Sequence, residues 1–297
     1  MLVCFAIHRF QTCAPFSEGM QLRGLFQIME EDSYMLFYDY EAGKKRIDCI
    51  LASQIEIVEQ DKIPPEDVLV MRKGYYGLVT ALYVNIREST ALFSDEDKLQ
   101  TAKIIRSFTS ETIEILRGFD FEREIGIRGD CIYAIYTTPL QTDVNIVLDI
   151  ACYVNTFMKM LNLQLAKQEL PPISVGIGIA TDREMVINAG RKEVGINDRI
   201  WIGNAGKDAL NLSYVGNKDG VEPIVMSAAT FDSIIGHYLS EYGEKAREWF
   251  FQRSTQYLGT FYDTGLIISD YSEWIEKEFH DIRVFRDEFE ELLVQYS

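Results

Sequence analysis

Residues 124–136 read EIGIRGDCIYAIY, two short apolar runs separated only by Gly129-Asp130. Gly-Asp between two such runs is typical of a two-residue β-hairpin, because glycine adopts the positive φ that the tight turn requires. The pattern predicts adjacent antiparallel strands at 124–128 and 131–136. Since Gly-Asp is also simply what a hairpin turn favours, the pair does not by itself indicate a functional site.

The elements around this hairpin are predicted in the order β-α-β-β-α-β. Ser94 and the acidic residues after it favour the start of a helix, because they satisfy free N–H groups and complement the helix dipole. Outside the hairpin, we predict a strand at 80–86, a helix from Ser94 to about Gly118, a helix from a Thr142 cap to Leu165, and a strand at 173–179. This order is that of a ferredoxin-like α+β sheet.

Two flanking segments are predicted to be separate from the central domain, which we assign to residues 76–270. Residues 1–66 are interpreted as a small antiparallel β module that ends near Pro64-Pro65, because consecutive prolines oppose both helix continuation and strand pairing. Its predicted strands are 26–29, 34–38, 46–51 and 54–58. Residues 271–297 are predicted to form an amphipathic helix, which packs either on its own domain or on a partner.

The composition excludes several classes of protein. Lys and Arg number 29 and Asp and Glu 46, so the net charge of −17 opposes binding to polymeric nucleic acid or to an anionic membrane. A nucleotide still needs only a few local cations and a metal. No stretch reaches the ~18 apolar residues of a membrane span. The five scattered cysteines indicate reduced thiols in a cytoplasmic protein, and three distant histidines argue against a zinc site or a catalytic triad.

The strand pattern itself suggests one metal site. If the strand at 80–86 pairs beside the hairpin, Asn85 and Asp130 meet at one end of the sheet. Two oxygen donors there could bind Mg²⁺, which typically takes one or two carboxylates together with substrate phosphates. The loop 87–90 that follows could cradle phosphate oxygens with its backbone N–H groups. Alternatively, Asn85 is a strand-end residue that hydrogen-bonds its own turn.

Five segments, in order, resemble the sequence motifs of the class III nucleotidyl cyclases. They are residues 83–90, 127–134, 174–181, 201–209 and 224–231. In detail, the run 189–198 that precedes Trp201 is similar to the Pycsar anti-phage cyclases, which make cyclic UMP or cyclic CMP. The resemblance covers about residues 76–270 and implies the ferredoxin-like fold of that family.

The resemblance implies that Asn85, Ile86 and Asp130 hold two Mg²⁺ or Mn²⁺ ions. Asn85 lies where the family has its first metal-binding aspartate. Because an amide oxygen brings no charge, we expect a large loss of rate relative to Asp at this position. The chain is then either a sluggish or degenerate natural protein or an engineered inactive form.

The resemblance also implies which residues contact the substrate. They are Tyr83, Glu88, Ser89, Thr90, Gly126, Arg128, Ile200 and Trp201. Gly126 and Ile200 occupy the two purine-reading positions of the family, while Arg128 and Trp201 add bulk that suits a smaller pyrimidine. Arg128 can donate paired hydrogen bonds to carbonyl oxygens, which favours UTP over CTP. In the alternative interpretation, Arg128 only pairs with a nearby acid such as Glu124.

The last motif supplies the candidate catalytic residues, Lys207 and Asn211. By the resemblance, Lys207 replaces the asparagine that holds the ribose and the transition state, and Asn211 replaces an arginine that contacts phosphate. Because residues i and i+4 share a helix face, Lys207 could supply the missing positive charge, or it could be a solvated helix residue. For the late phosphate-contacting lysine of the family, Arg253 is the nearest candidate.

The resemblance implies a homodimeric cyclase. Metal ligands from one subunit and base-reading residues from the other would form each site, and a pyrimidine nucleoside triphosphate would become the 3′,5′-cyclic monophosphate and pyrophosphate. The product would be a second messenger in anti-phage defence. Two alternatives remain: a degenerate cyclase-fold domain that binds nucleotide without turnover, which Asn85 and Asn211 favour, and a purely structural dimerisation module.

Overall fold

The computed structural model describes residues 38–65, 72–89, 98–118, 121–191 and 195–280. The helices in these ranges are α1 (Tyr40–Leu51), α2 (Lys98–Leu116), α3 (Gln141–Lys167), α4 (Ala205–Ser213), α5 (Ala228–Tyr242) and α6 (Ser269–Glu278), with a 3₁₀ helix at Glu244–Trp249. The strands are β1 (Glu56–Glu59), β2 (Lys73–Ile86), β3 (Glu122–Arg128), β4 (Cys131–Thr137), β5 (Val175–Arg191), β6 (Ile196–Ile202), β7 (Ile224–Ser227), β8 (Phe251–Thr255) and β9 (Gly259–Thr264). The chain divides into two compact units, residues 1–53 and 54–297.

The first unit is described only at its end, which is helix α1. The strand predicted at 46–51 is therefore wrong. Asp39 caps the helix by accepting a first-turn N–H at 2.9 Å, and Lys44 pairs with Asp48 one turn later. These local interactions favour a helix over the alternation that suggested a strand. The predicted strands at 26–29 and 34–38 lie outside the described residues, apart from Tyr38.

The second unit contains one mixed sheet. Its strands follow the order β3-β4-β2-β5-β7-β9-β8, with β1 parallel to β2 and β6 antiparallel to β5. The predicted β-α-β-β-α-β order is confirmed as β2-α2-β3-β4-α3-β5. The predicted boundary near Pro64-Pro65 stays a prediction, although β1, which precedes these prolines, belongs to the main sheet.

The central strands are apolar on both faces, since side chains alternate along a strand. Leu82 and Val84 of β2 face the core shared with α2, α3 and α5. Ala81 and Tyr83 face the opposite way and pack with α4 in a second core. Helix α4 lies so close to β5 that a Cβ at Gly178 would overlap the backbone of α4. This second face carries Tyr83 and Asn85, whereas the side chain of Ile86 packs in the first core.

Helix α3 is the one described helix that is long and apolar enough to cross a membrane, which corrects the expectation that no such stretch exists. Of that apolar window, 67% is buried inside the protein, as in the core helix of a globular domain. Its first turn depends on Asp143, which accepts the backbone N–H of Leu140 at 2.9 Å, so the predicted Thr142 cap is wrong. The predicted Ser94 cap of α2 lies outside the described residues.

The described part of the C-terminal segment packs back on the domain. Lys159 of α3 donates hydrogen bonds to Ser272 at 3.1 Å and to Glu276 at 2.9 Å. Lys167 lies over the ring of Phe279, 4.3 Å from its centroid. Residues 281–297 of the predicted helix lie outside the described residues.

Candidate active site

The ends of β2 and of the β3–β4 hairpin meet at one edge of the sheet. Asn85 is opposite Cys131 in the β2–β4 register, and the N–H of Ile86 donates to the carbonyl oxygen of Asp130 at 3.4 Å. Gly129, with φ of 66°, makes the turn that the sequence predicted. The structure thus brings Asn85, Ile86 and Asp130 together. Asn85 is only 2% exposed whereas Asp130 is exposed, so a ligand would approach from the side of Asp130.

The loop after β2 contacts the hairpin directly. The hydroxyl of Ser89 donates a short hydrogen bond to Oδ2 of Asp130. Glu88 is exposed and has a φ of 52°, in the left-handed region. Arg87 fixes the loop through a backbone and a guanidinium hydrogen bond to carbonyl oxygens of neighbouring segments, at 2.8 and 2.7 Å. Thr90 lies outside the described residues.

The oxygen donors at this edge are of the kind that fits a divalent cation. Asp130 supplies one carboxylate, Asn85 an amide oxygen and Ile86 a backbone carbonyl. Mg²⁺ usually binds through one or two carboxylates and completes its shell with water and substrate phosphates. The described residues contain no group of three or more His, Cys, Asp or Glu side chains that could hold a metal by themselves. The donor set therefore suits a substrate-associated ion.

A carboxylate that the sequence analysis did not assign to the site, Glu124, organises the aromatic wall, which consists of Tyr83, Tyr133 and Trp201. Its Oε1 accepts the hydroxyl of Tyr133 at 2.6 Å, and its Oε2 accepts the indole N–H of Trp201 at 2.7 Å. Arg199 forms an ion pair with the same carboxylate at 3.3 Å. The ring of Tyr133 is stacked on that of Tyr83, with centroids 5.1 Å apart. One partly buried acid thus orients two rings and supports a third.

The remaining predicted base-contacting residues lie in two places. Gly126 is opposite Tyr133, and a Cβ there would be 2.6 Å from the tyrosine ring, so the glycine makes room for the stacked pair. Arg128 is exposed on the same face of β3 as Glu124. Ile200 is on the opposite face of β6 from Trp201, because neighbours in a strand alternate. The structure therefore does not bring Ile200 to the aromatic wall.

Burial and nearby charges shift the pKa values of the two stacked tyrosines, Tyr83 and Tyr133. Burial raises the pKa of Tyr83 to about 12, and the nearby Arg128 opposes this rise. Burial and the hydrogen bond to Glu124 also raise the pKa of Tyr133. Both phenols are therefore neutral hydrogen-bond donors at physiological pH.

Lys207 and Asn211 of α4 share a small pocket. Its volume is about 190 Å³, and Ser227, Tyr257 and Thr260 also line it. The ammonium of Lys207 is exposed and 3.8 Å from a carboxylate oxygen of Asp208. The shared pocket agrees with the expectation that i and i+4 residues face the same way.

Arg253, the candidate for the late phosphate contact, is already engaged. Its guanidinium donates to both carboxylate oxygens of Asp263, at 2.8 and 3.1 Å, and to the carbonyl of Gly220 at 2.6 Å. Asp263 is fully buried. Binding of a phosphate by Arg253 would leave this carboxylate without its cation, which is costly.

The sequence is 42% identical over 252 residues to the uridylate cyclase of Treponema porcinum, an alignment that covers 85% of this chain and 86% of the relative. The chain belongs to the uridylate cyclase family. A second uridylate cyclase, from Gulbenkiania mobilis, is 31% identical over 189 residues, 61% of this chain and 73% of that protein. No protein-family model matches the chain.

The fold of this uridylate cyclase family member is that of the class III cyclases. The adenylyl cyclase CyaB from P. aeruginosa superposes with a TM-score of 0.52 at 18% identity, over 64% of this chain and 95% of that structure. The predicted class III membership, the α+β fold and the assignment to the cyclase lyases are confirmed. The individual site residues stay predictions.

The residues of this family member that sequence reasoning did not assign to the site are Glu124, Tyr133 and Arg199. One signal was available for the first two: Glu124 alternates with Gly126 and Arg128 on one face of β3, and Tyr133 shares the hairpin with them. Arg199 and Trp201 alternate in the same way on β6. That these two pairs meet depends on the curvature of the sheet, which brings β6 over β3.

Proposed function

We propose that this protein converts UTP to 3′,5′-cyclic UMP and pyrophosphate, and that it uses CTP less well. The proposal depends on the partners of Glu124. Its carboxylate accepts hydrogen bonds from Trp201 and Tyr133 and forms an ion pair with Arg199. Because these partners already use both carboxylate oxygens of Glu124, we propose that the guanidinium of Arg128 contacts the base instead. The alternative in which Arg128 pairs with Glu124 is not supported, and the relatives named uridylate cyclase agree with a uracil substrate.

In the proposed reaction, the 3′-oxygen of the ribose attacks the α-phosphorus. The new P–O bond forms as the bond from the α-phosphorus to the bridging oxygen of pyrophosphate breaks, and the hydroxyl proton passes to solvent. Asn85, Ile86 and Asp130 would hold Mg²⁺ or Mn²⁺, two ions at each site. When bound, these ions would lower the pKa of the 3′-hydroxyl and neutralise charge on the leaving group. Lys207 would stabilise the negative charge that develops on the α-phosphate.

Base selection would depend on Arg128 and the aromatic wall. The guanidinium can donate two parallel hydrogen bonds, and uracil offers two exocyclic carbonyl oxygens whereas cytosine offers one. Glu124 holds Trp201 and Tyr133 in place, so the wall is preorganised and little entropy is lost when the base binds. The cleft lacks a lysine at position 126, and a side chain there would displace the ring of Tyr133.

We further propose a cytoplasmic homodimer that makes cyclic UMP as a second messenger in anti-phage defence. Asp130 and its neighbours would come from one subunit, and Arg128, Trp201 and Lys207 from the other. The substrate is a cytoplasmic metabolite, and the net charge of −17 disfavours polymeric nucleic acid as a partner.

The direct test measures cyclic nucleotide by mass spectrometry after incubation with Mn²⁺ and UTP, CTP, ATP or GTP, for the natural protein and for Asn85→Asp. We expect cyclic UMP to dominate and Asn85→Asp to raise the rate on the order of tenfold or more, because a second carboxylate strengthens metal binding. Asp130→Ala is the matched control and should abolish product. Equal rates for Asn85→Asp and the natural protein would refute the metal assignment, and a preference for ATP would refute the base assignment.

A second candidate function is nucleotide binding without turnover, which Asn85 and Asn211 favour. A thermal-shift measurement with UTP and Mn²⁺ separates the cases, because a ligand that binds only the native state raises Tm. If Asn85→Asp makes no cyclic product but UTP still raises its Tm, the result would support a nucleotide sensor. No shift with any of the four nucleotides would support a structural dimerisation module.

A further inference from the structure

Glu184 is a buried acid of β5 that lies at the N-terminus of another element, α4. It is 2% exposed. Its Oε1 accepts the backbone N–H of Gly206 at 3.0 Å. Its Oε2 is buried and has no hydrogen-bond partner among the described residues. Burial raises the pKa of Glu184, against the effect of the backbone hydrogen bond from Gly206.

Helix α4 has no cap of its own. Asn204 is the residue at its N-cap position, and its side chain makes no capping hydrogen bond. The Asn204 amide instead donates to Asp182 at 3.3 Å. The first N–H groups of a helix have no partner within the helix, and a buried helix end needs an acceptor for them. Glu184 supplies that acceptor from the neighbouring strand, with its carboxylate at the positive end of the helix dipole.

Gly203, at the end of β6, leaves room for the side chain of Glu184. A Cβ at Gly203 would lie 2.5 Å from Cγ of Glu184. The hydroxyl of Tyr83, on the base-contacting wall, lies near the same turn, 3.8 Å from where a Cβ of Gly206 would be. Glu184 therefore lies where the end of β6, the start of α4 and the aromatic wall come together.

We propose that Glu184 is a positioning residue, which fixes the first turn of α4 so that Lys207 and Asn211 are held toward the phosphates of the substrate. The role of the two α4 side chains rests on the proposed function. The capping of α4 by Glu184 does not rest on it. Lys207 follows the capped amide of Gly206 directly, so a shift of the first turn moves its side chain as well.

The test compares Glu184→Leu, Glu184→Gln and a control, Thr181→Val, each in the natural and the Asn85→Asp background. Leucine keeps the bulk and removes the acceptor, whereas glutamine keeps one acceptor oxygen. Thr181 is a buried β5 residue whose hydroxyl bonds Thr80 and Thr230, away from α4. The measurements are amide hydrogen exchange of residues 205–209, kcat and KM for UTP, and the Kd of a UTP analogue with a non-cleavable α,β-methylene bridge.

For Glu184→Leu we expect amide exchange of residues 205–209 to accelerate about tenfold or more, because the first turn opens locally. We expect kcat to fall about tenfold with KM changed less than about threefold, the pattern of a lost transition-state interaction. Glu184→Gln should keep at least about half of kcat, since its amide oxygen can still accept the N–H of Gly206. Thr181→Val should leave kcat and the exchange of 205–209 unchanged.

Unchanged exchange in residues 205–209 of Glu184→Leu would overturn the proposal, as would a loss of kcat no greater than that of Thr181→Val. If neither background makes cyclic product, the proposed function fails, and amide exchange then tests the capping of α4 by itself. Faster exchange of residues 205–209 in Glu184→Leu than in Thr181→Val supports the capping, and equal exchange in the two variants overturns it. The Kd of the analogue should change less than about threefold, as expected for KM. If Glu184→Leu does not fold, Gly203→Ala displaces Glu184 sterically and should accelerate exchange of the same amides.

Discussion

The indole N–H of Trp201 donates a 2.7 Å hydrogen bond to Oε2 of Glu124, which joins β6 to β3. Three strands, β4, β2 and β5, separate these two in the sheet. The sheet therefore curls until β6 is within side-chain reach of β3. Arg199 of β6 strengthens the closure through its ion pair with Glu124 and a short hydrogen bond to the carbonyl of Arg123. Contacts between distant strands thus hold the aromatic wall in place.

Trp201→Phe should loosen the aromatic wall, because it keeps an aromatic ring of smaller size and removes the N–H donor. We expect the free energy of unfolding to fall by about 2 kcal/mol, the usual value of a hydrogen bond to a charged group. KM for UTP should rise several-fold, because the side chains of the aromatic wall must then be ordered when the base binds. Chemical denaturation and steady-state kinetics check both effects. Trp274→Phe, at a half-exposed indole on α6, is the control, and equal behaviour of the two variants would contradict the assignment.

Arg128→Ala should relax base choice. In the Asn85→Asp background, we expect the ratio of kcat/KM for UTP to that for CTP to fall roughly tenfold, as for the loss of a charge-assisted hydrogen bond. Arg128→Lys should recover only part of the ratio, since lysine cannot make the bidentate contact. Arg106→Ala, on the exposed face of α2, is the control for a lost positive charge. An unchanged ratio in Arg128→Ala would remove the base-reading role.

Gly178→Ala should push α4 away from the sheet. The new Cβ would overlap the carbonyl oxygen of Ala209 and lie 2.5 Å from the backbone nitrogen of Ser213, and neither backbone atom can rotate aside. We expect a loss of about 3 kcal/mol in the free energy of unfolding, the upper part of the range for overpacking. Gly236→Ala in α5 is the matched control. Its Cβ meets nothing within 4 Å and should stabilise the protein by about 0.5 kcal/mol.

Glu184→Gln should stabilise the protein most at high pH. Burial raises the pKa of Glu184 above its ordinary value of 4.5, so the folded state binds the proton more tightly than the unfolded state. The contribution of Glu184 to stability is therefore present below pH 4.5 and is lost as pH rises through the raised pKa. The Tm of Glu184→Gln minus that of the natural protein should grow from pH 4.5 to pH 8. A constant difference for Glu184→Gln across this pH range would contradict this prediction.

Local patterns in the sequence predicted the parts of the site that depend on neighbouring residues. The Gly129-Asp130 turn and the strand at 80–86 were predicted correctly because a hairpin and a buried apolar run have unambiguous periodicity. That Asn85 and Asp130 meet followed from the order of the strands. The strand predicted at 46–51 failed because a short apolar run without its capping context suits a strand and a helix equally.

Tertiary structure alone decided the parts of the site that join distant residues. Trp201 and Glu124 are 77 residues apart, and Gly206 and Glu184 are 22 apart across a strand and a turn. No local periodicity encodes the curl of the sheet or the length of β5, on which both contacts depend. By itself, the sequence determined the order of the elements and the chemistry of the hairpin end, because those depend on local turns and side-chain alternation. Packing decided which side chains join β6 to β3 and which one caps α4. Buried polar groups need hydrogen-bond partners, and the tertiary fold determines which partners are near.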